Sequence, residues 1–215
     1  MESMNYDLFG IIATLTGLIL GLALHEFAHA LVGHYLGDTT ARDQGRLTIN
    51  PLAHIDPFAT LLLPLFLIIA GLPVFAAAKP VPFNPWALRG GKWGAAAVAA
   101  AGPLTNLVIA VFFSVWLHLV AGGSPVAFIF LGSIIAVNVG LFVFNLIPVP
   151  PLDGSRVLYA MVPQSVREAM DRLEQAGLVV IFGLVLLLSY TPLGAVLSRT
   201  IKGLTALLLP SSILP

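Results

Sequence analysis

The chain has 215 residues, of which 58% are hydrophobic and only 9% are charged, whereas soluble domains carry roughly 25% charged residues. So few charges cannot cover a soluble globule, and we expect an integral membrane protein. The net charge is zero with no basic cluster, which excludes nucleic-acid binding, and the absence of cysteine means that any metal must be held by His, Asp or Glu.

Four stretches of the chain contain no Asp, Glu, Lys or Arg. They cover residues 8–24, 57–78, 93–152 and 175–198. A spanning helix needs about 20 apolar residues, so the third stretch can hold two helices, near 93–120 and 126–146. The first stretch continues past its charge-free part and ends at Gly37, which gives a helix of about 28 residues.

The stretch at 57–78 is interrupted by residues that break helices. Pro64, Gly71 and Pro73 predict that it is kinked or re-entrant rather than a straight span. Together the segments predict an all-α polytopic membrane protein with about five to six membrane-embedded helical segments.

The C-terminal part has a different pattern. Residues 163–174 are typical of an amphipathic surface helix and 176–190 of a further span, whereas 192–209 is either interfacial or a last span. We expect a single membrane-embedded domain over residues 1–215. Its core is expected at 8–163 and its accessory C-terminal helices at 164–215.

The first apolar helix contains the sequence His25-Glu26-Phe27-Ala28-His29. Two imidazoles four residues apart lie on one helix face and can share one metal ion, and a glutamate lies beside them. In zinc hydrolases a third protein ligand completes such a pair, and the glutamate acts as general base. Chance occurrence is the alternative, but ionisable residues inside an apolar span are costly and usually functional.

A third ligand must then come from elsewhere in the chain. Asp153 is the leading candidate because it directly follows the longest charge-free stretch. Pro148, Pro150 and Pro151 unwind the helix end before it, and a broken helix exposes backbone groups that can contact a ligand or substrate.

Three segments form a combination that is far more specific than two spaced histidines. They are HEFAHA at 25–30, AGPLTN at 101–106 and NLIPVPPLDG at 145–154. Together they resemble the signature segments of the site-2 protease family, the intramembrane zinc metalloproteases of peptidase family M50. The loop at 45–57 and the stretch at 78–85 are similar to compact prokaryotic members of that family.

The resemblance implies one zinc ion per chain. The implied zinc ligands are His25, His29 and Asp153. Glu26 is then the catalytic residue that activates water, while Asn106 and Asn145 position or polarise the substrate peptide. The sequence has no room for an inserted PDZ domain or appended CBS domains, so substrate selection by such domains is not carried over.

The other histidines and one further asparagine are expected to be structural. We expect His54 to be a hydrogen-bonded loop histidine, His34 to point away from the metal face and His118 to be a polar anchor at a helix end. Asn138 is expected to hydrogen-bond neighbouring helices.

The predicted metal site constrains the topology, because its ligands must lie at one depth. His25 and Asp153 both lie near or beyond the ends of their helices, so those helices run in the same direction. The loop at 37–56 then shares a side with the start of the helix at 93–120, and 57–78 must enter and leave by one face.

That side of the membrane is predicted to be cytoplasmic, with the N-terminus outside. It carries eight of the ten basic residues, and basic residues favour the cytoplasmic side. They are Arg42, Arg46, Lys79, Arg89, Lys92, Arg156, Arg167 and Arg172.

We expect a multi-pass endopeptidase of the cell membrane that cleaves in or near transmembrane segments. Its partners are a transmembrane protein substrate and the lipid bilayer; the substrate's identity and the oligomeric state are not specified by the sequence. The alternative is a membrane transporter or metal-handling protein that uses His25, His29 and Asp153 as a transit site. Glu26 argues against it, because a transporter has little need for a base that is not a ligand.

Overall fold

The computed structural model describes residues 2–72, 78–120 and 125–210, and every regular element in these ranges is helical. In chain order the elements are α1 (Glu2–Tyr35), α2 (Thr40–Asp43), a 3₁₀ turn (Pro51–His54), a π-helical turn (Pro57–Leu62), α3 (Leu63–Ile69), α4 (Gly91–Val120), α5 (Pro125–Asn145), α6 (Asp153–Met161), α7 (Gln164–Gln175), α8 (Gly177–Tyr190) and α9 (Pro192–Leu208).

Three of these helices are long and apolar enough to cross a membrane, namely Leu8–Tyr35 of α1, α4 and α5. The shortest, α5, has 21 residues. At 1.5 Å per residue it is about 31 Å long, close to the roughly 30 Å of a hydrocarbon core. The helices α7 and α8 pass the same test only as a pair, bent by 94°.

The predicted all-α polytopic membrane fold is therefore confirmed. The described residues contain three candidate spans, or four if the bent pair is one span, and the predicted five to six embedded segments are not confirmed.

Hydrogen bonds fix the relative direction of α1 and α4. His25 meets Asn106 and, four residues further along α1, His29 meets Val98. Contacts that advance along α1 thus move backwards along α4, so the two helices are antiparallel. The C-terminal half of α1 and the N-terminal half of α4 consequently share one level.

Glycines allow α1 and α5 to approach closely, and their contacts show that these two helices run parallel. A Cβ atom at Gly17 would lie 3.0 Å from Ile134 Cα, and one at Gly21 would lie 2.9 Å from Leu141 Cδ1. The ends of α1 and α5 therefore reach the same side, where α4 begins.

The chain between α1 and α4 leaves and returns at one face. The Lys79 N–H donates to the His54 carbonyl at 2.9 Å, which joins the two flanks of the intervening segment. The π-helical turn and α3 contain six and seven residues, about 20 Å along their axis at most, too short to span a bilayer. This agrees with the predicted kinked or re-entrant segment; its residues 73–77 lie outside the described ranges.

An apolar core lies between α4 and α5 at the end remote from His25. It comprises Ala110, Leu117, Leu131, Ile135 and Val139, with Ile201, Leu204 and Leu208 packed against it. The Ser114 hydroxyl donates to the Leu208 carbonyl at 2.5 Å. The C-terminal helix α9 is thereby attached to the end of the bundle that does not carry the predicted site.

The close approach of α1 and α5 predicts the effect of a larger residue at Gly21. A Cβ atom there would lie 2.6 Å from Asn138 Oδ1. We expect Gly21→Leu to lower the free energy of unfolding by about 1–3 kcal/mol, because the buried crossing is overpacked. The measurement is thermal unfolding in detergent. Gly10→Leu in the same helix is the control, because nothing lies within 4 Å of a Cβ at Gly10; an equal effect of both substitutions would contradict the packing argument.

Candidate active site

Three of the predicted site residues converge where α1, α4 and α6 meet. The Nε2 atoms of His25 and His29 are 3.0 Å apart. One carboxylate oxygen of Asp153, Oδ2, lies 3.1 Å from His25 Nε2 and 3.4 Å from His29 Nε2. Each residue thus offers one ligand atom, and together they could hold one metal ion.

Asn106 determines which nitrogen of His25 carries a proton. The amide nitrogen of Asn106 donates to the Gly21 carbonyl at 3.1 Å and to Asn138 Oδ1 at 3.0 Å. Its amide oxygen therefore faces His25 Nδ1, 2.7 Å away, as an acceptor. His25 must donate from Nδ1, which leaves Nε2 of the neutral ring with a lone pair.

His29 has the same tautomer for a simpler reason. Its Nδ1 lies 2.7 Å from the Val98 carbonyl, which can only accept. The Nε2 lone pairs of both neutral rings therefore point toward the Asp153 carboxylate, and neither Nε2 atom carries a proton. Three lone-pair atoms this close repel one another unless a cation lies among them. The chemistry of these three atoms therefore fits a metal ion.

The spacing of the three atoms and the space around them also fit zinc. Tetrahedral zinc with ligand distances of 2.0–2.1 Å separates neighbouring ligand atoms by about 3.3 Å, close to the separations here. Gly102 of α4 faces the two rings, and a Cβ atom there would lie 2.6 Å from His25 Nε2 and closer still to His29 Nε2. Any larger residue at this position would fill the metal site.

Asp153 reaches the site because the chain reverses between α5 and α6. The intervening residues carry three prolines and make only turn hydrogen bonds, such as that from the Leu152 N–H to the Val149 carbonyl at 3.0 Å. Gly154 permits the tight packing that follows, since a Cβ there would lie 2.9 Å from the Ile147 carbonyl oxygen and closer to that of Leu146. Asp153 then begins α6 facing the histidines.

Glu26 lies beside the three residues and is oriented from outside α1. Its side chain is buried, and Oε2 accepts a hydrogen bond from the Val81 N–H at 3.0 Å. Val81 belongs to the non-helical segment at 78–86, which contacts Glu26 within α1 and Asp38 just after it. No sequence pattern indicated this contact, because the segment has no periodicity.

The loop between α1 and the π-helical turn holds the segment at 78–86 in place. Buried Arg46 donates from Nη2 to the Lys79 carbonyl at 2.5 Å, and the carbonyl of buried His54 accepts from the Lys79 N–H. Asp38 Oδ2 accepts from the Asn84 N–H at 2.6 Å. We call Asp38, Arg46 and His54 the loop clamp.

The clamp carboxylate is stabilised in its ionised form. Burial alone would raise the pKa of Asp38, but hydrogen bonds from the Thr40 hydroxyl and from the backbone N–H groups of Thr40 and Asn84 outweigh it. The pKa of Asp38 therefore lies below its ordinary value. Near neutral pH the clamp holds Asn84 with a full negative charge.

A cavity of about 630 Å³ opens onto the converged residues. Its walls come from α1, α4, α6 and α8 and from the segment at 78–86, and they are mostly apolar. Asn145, for which the resemblance implies contact with substrate, lines this cavity. Asp56, Arg156 and Glu174 also line it; sequence reasoning did not single them out, because each lies in a stretch that reads as loop or surface helix.

The structure brings some of the predicted residues together and leaves others apart. Asn106 is fully buried against His25 and is not part of the cavity wall, so its contact is with a predicted ligand. Asn138 donates to the Ile134 carbonyl within its own helix and toward Gly17 of α1, as expected for a helix-bridging amide.

The histidines expected to be structural lie outside the metal cluster of the described residues. His54 Nε2 donates to the Thr48 carbonyl at 2.9 Å within the loop. His118 Nδ1 lies 2.8 Å from the Ser114 carbonyl at the end of α4. Neither side chain approaches the site.

Comparison with known proteins agrees with the resemblance in the sequence. A model of Peptidase family M50 matches residues 119–189, which include Asn145 and Asp153. The Bacillus subtilis (strain 168) protein named Putative zinc metalloprotease YwhC is 39% identical over 186 residues, covering 83% of this chain and 80% of that protein.

Mycobacterial relatives show a weaker likeness over a similar part of the chain. Putative zinc metalloprotease Rip2 of Mycolicibacterium smegmatis is 31% identical over 173 residues, covering 79% of this chain and 65% of that protein. Its namesake from Mycobacterium tuberculosis (strain ATCC 25618 / H37Rv) is 30% identical over 190 residues, covering 84% and 68%. No solved structure matches significantly. Since the Bacillus relative aligns over most of both chains, this protein belongs to peptidase family M50, the site-2 protease family.

Proposed function

We propose that this protein is an intramembrane zinc endopeptidase that hydrolyses peptide bonds in or near the membrane-spanning segments of other proteins. One observation carries the proposal: Glu26 and the ligand atoms of His25, His29 and Asp153 surround a single cavity between helices long and apolar enough to span a bilayer. Membership of family M50 supports the peptidase chemistry.

We assign His25 Nε2, His29 Nε2 and Asp153 Oδ2 as the zinc ligands. Zinc, when bound there, supplies a Lewis acid that polarises the scissile carbonyl and makes a water molecule more acidic. Asn106 and the Val98 carbonyl act on the histidines, because each accepts the Nδ1 proton and so holds the ring in the ligating tautomer. For Asn106 this role is more direct than contact with substrate.

Glu26 moves the protons of the reaction. Its Oε2 is held by the Val81 N–H, so Oε1 is the oxygen free to take a proton from the attacking water. The water oxygen bonds to the carbonyl carbon, the carbon–nitrogen bond breaks, and Glu26 returns the proton to the departing amine. The general base thus starts and ends each cycle ionised.

The substrate must expose a carbonyl to this cavity. A membrane-spanning helix hides its carbonyls in its own hydrogen bonds, so the segment to be cut must unwind locally. Asn145 lines the cavity beside Asp153 and remains our candidate for a contact with the unwound backbone.

The general-base role is tested with Glu26→Gln. We expect cleavage of a model single-span membrane substrate by detergent-purified protein to fall about 10²–10⁴-fold, because the amide cannot accept the proton. Bound zinc should be retained, since Glu26 is not a ligand. A zinc chelator should abolish cleavage by the wild type.

Glu168→Gln is the matched control for this experiment. Glu168 is exposed on α7 and lines neither the cavity nor the metal cluster, so the same loss of charge there should leave the rate unchanged. A Glu26→Gln protein that cleaves at the wild-type rate would falsify the assignment. Bound zinc that crosses the membrane in reconstituted vesicles, without cleavage by the wild type, would favour a transporter.

The role assigned to Asn106 predicts an effect on zinc affinity. We expect Asn106→Ala to lower that affinity about 10–100-fold, because the Nδ1 proton of His25 loses its acceptor. Competition with a chelator of known affinity measures it. Thr105→Ala is the control, since its hydroxyl only donates to the Ala101 carbonyl. Unchanged zinc affinity with impaired cleavage would instead favour contact between Asn106 and substrate.

We propose that the loop clamp faces the cytoplasm, because eight of the ten basic residues lie on its side. The chain has no cysteine, so single cysteines report sidedness without background. In intact cells a membrane-impermeant maleimide should label Ser3→Cys but neither Gln44→Cys nor Trp86→Cys; permeabilised cells should show all three labelled. Labelling of Trp86→Cys without Gln44→Cys would contradict the shared face.

A further inference from the structure

A second cavity, of about 610 Å³, adjoins the one that holds the candidate active site. The two cavities share four wall residues, which are Phe83, Ala95, Arg156 and Glu174. The remainder of the second cavity lies toward the charged side of the molecule, beside the start of α4 and between α6 and α7.

A partition of three side chains separates the two cavities. Arg156 of α6 forms an ion pair with Glu174 of α7, and its guanidinium carbon lies 4.6 Å from the centre of the Phe83 ring. Both charged side chains are about one-third exposed. Ion pairs with this exposure stabilise a structure little, so the partition can open at small cost.

The wall shared by the two cavities lies one helical turn from Asp153 along α6 and one turn from Val98, whose carbonyl contacts His29, along α4. Arg156 follows Asp153 by three residues along α6, and Ala95 precedes Val98 by three residues along α4. Three residues advance a helix by about 4.5 Å. An extended peptide covers about 3.3 Å per residue, so two or three residues from the reacting carbonyl bring a substrate to the partition.

We propose that the second cavity binds the polar flank of the substrate, the extended polypeptide that leaves the membrane next to the cleaved bond. This inference rests on the proposed function. Aromatic surface comes from Phe83, Tyr159 and Trp86, and Trp86 is 95% exposed. Exposed aromatic side chains of this kind serve as anchors for peptides.

The charges of the second cavity favour a peptide over a lipid headgroup. Two cations, Lys92 and Arg156, are balanced by two anions, Asp171 and Glu174. An anionic headgroup would meet two carboxylates, whereas a polypeptide offers amide donors, carbonyl acceptors and side chains of both signs. The wall shared with the first cavity places this occupant next to the segment being cut, so one polypeptide can occupy both cavities.

The first test replaces Trp86 in the full-length protein. We expect Trp86→Ala to raise the KM for a model single-span substrate with polar flanks about 5–30-fold, with most of the loss in KM rather than kcat. Trp93→Ala is the matched control, because Trp93 is also exposed and near the start of α4 but lines neither cavity. Equal effects of both substitutions would indicate membrane anchoring and overturn the proposal.

Deleting the substrate's two polar flanks one at a time shows which flank occupies the second cavity. For the wild type, loss of one flank should raise KM to the value seen with Trp86→Ala, and loss of the other should not. For Trp86→Ala, loss of the same flank should add nothing. The proposal fails if both deletions leave KM unchanged, or if Trp86→Ala weakens intact and shortened substrates equally, as a bound lipid would predict.

Binding to the Glu26→Gln protein provides a readout that does not need cleavage. With Trp93→Phe and Trp116→Phe added, Trp86 is the only tryptophan. We expect the intact substrate to shift its fluorescence to the blue, and the substrate without the docking flank to cause no shift. A shift without cleavage by the wild type would uphold docking and refute the protease; Glu26-dependent cleavage without a shift would refute docking alone.

Discussion

The arrangement depends on two hydrogen bonds that bind the Nδ1 protons of His25 and His29 to acceptors on α4. Because the Asn106 amide oxygen and the Val98 carbonyl accept those protons, both Nε2 lone pairs face Asp153. Three acceptors held in this way are stable only around a cation. The rotation and depth of α4 therefore set the tautomers of the two histidines that α1 carries.

The close approach of the helices around these residues explains why glycine occupies several positions. Gly102 lets α4 approach the two imidazoles, and Gly154 lets the start of α6 fold back against the end of α5. Gly21 has the same role where α1 meets α5. In a membrane the hydrophobic effect does not drive helices together, so close packing and buried hydrogen bonds must do so. Both are found around Gly21, where the Asn106–Asn138 hydrogen bond lies beside the close contact of α1 with α5.

The sequence indicated the candidate site residues, whereas most of the contacts that hold them could not be read from it. The i, i+4 spacing places His25 and His29 on one face, and the prolines before Asp153 mark a broken helix, so local rules suffice for both. The hydrogen-bond partners of Asn106 were not predictable. Periodicity shows which face of a helix is buried, but it does not show which residues of a neighbouring helix that face contacts. The Val81 contact with Glu26 was equally hidden, since the path of residues 78–86 is set by long-range hydrogen bonds.

The two histidines and Glu26 are therefore held in place by different parts of the chain. Packing of α1 against α4 fixes the two histidines proposed as ligands, because each ring is held by a single acceptor on α4. The orientation of Glu26, the proposed base, depends on the segment at 78–86, which the loop clamp holds from outside the spans. A glutamate has three rotatable side-chain bonds, so α1 alone cannot aim Glu26; the Val81 N–H must do so. Phe83 of the same segment forms part of the partition and lies two residues from Val81, so a substrate flank in the proposed second site would lie next to the hydrogen bond that orients the proposed base.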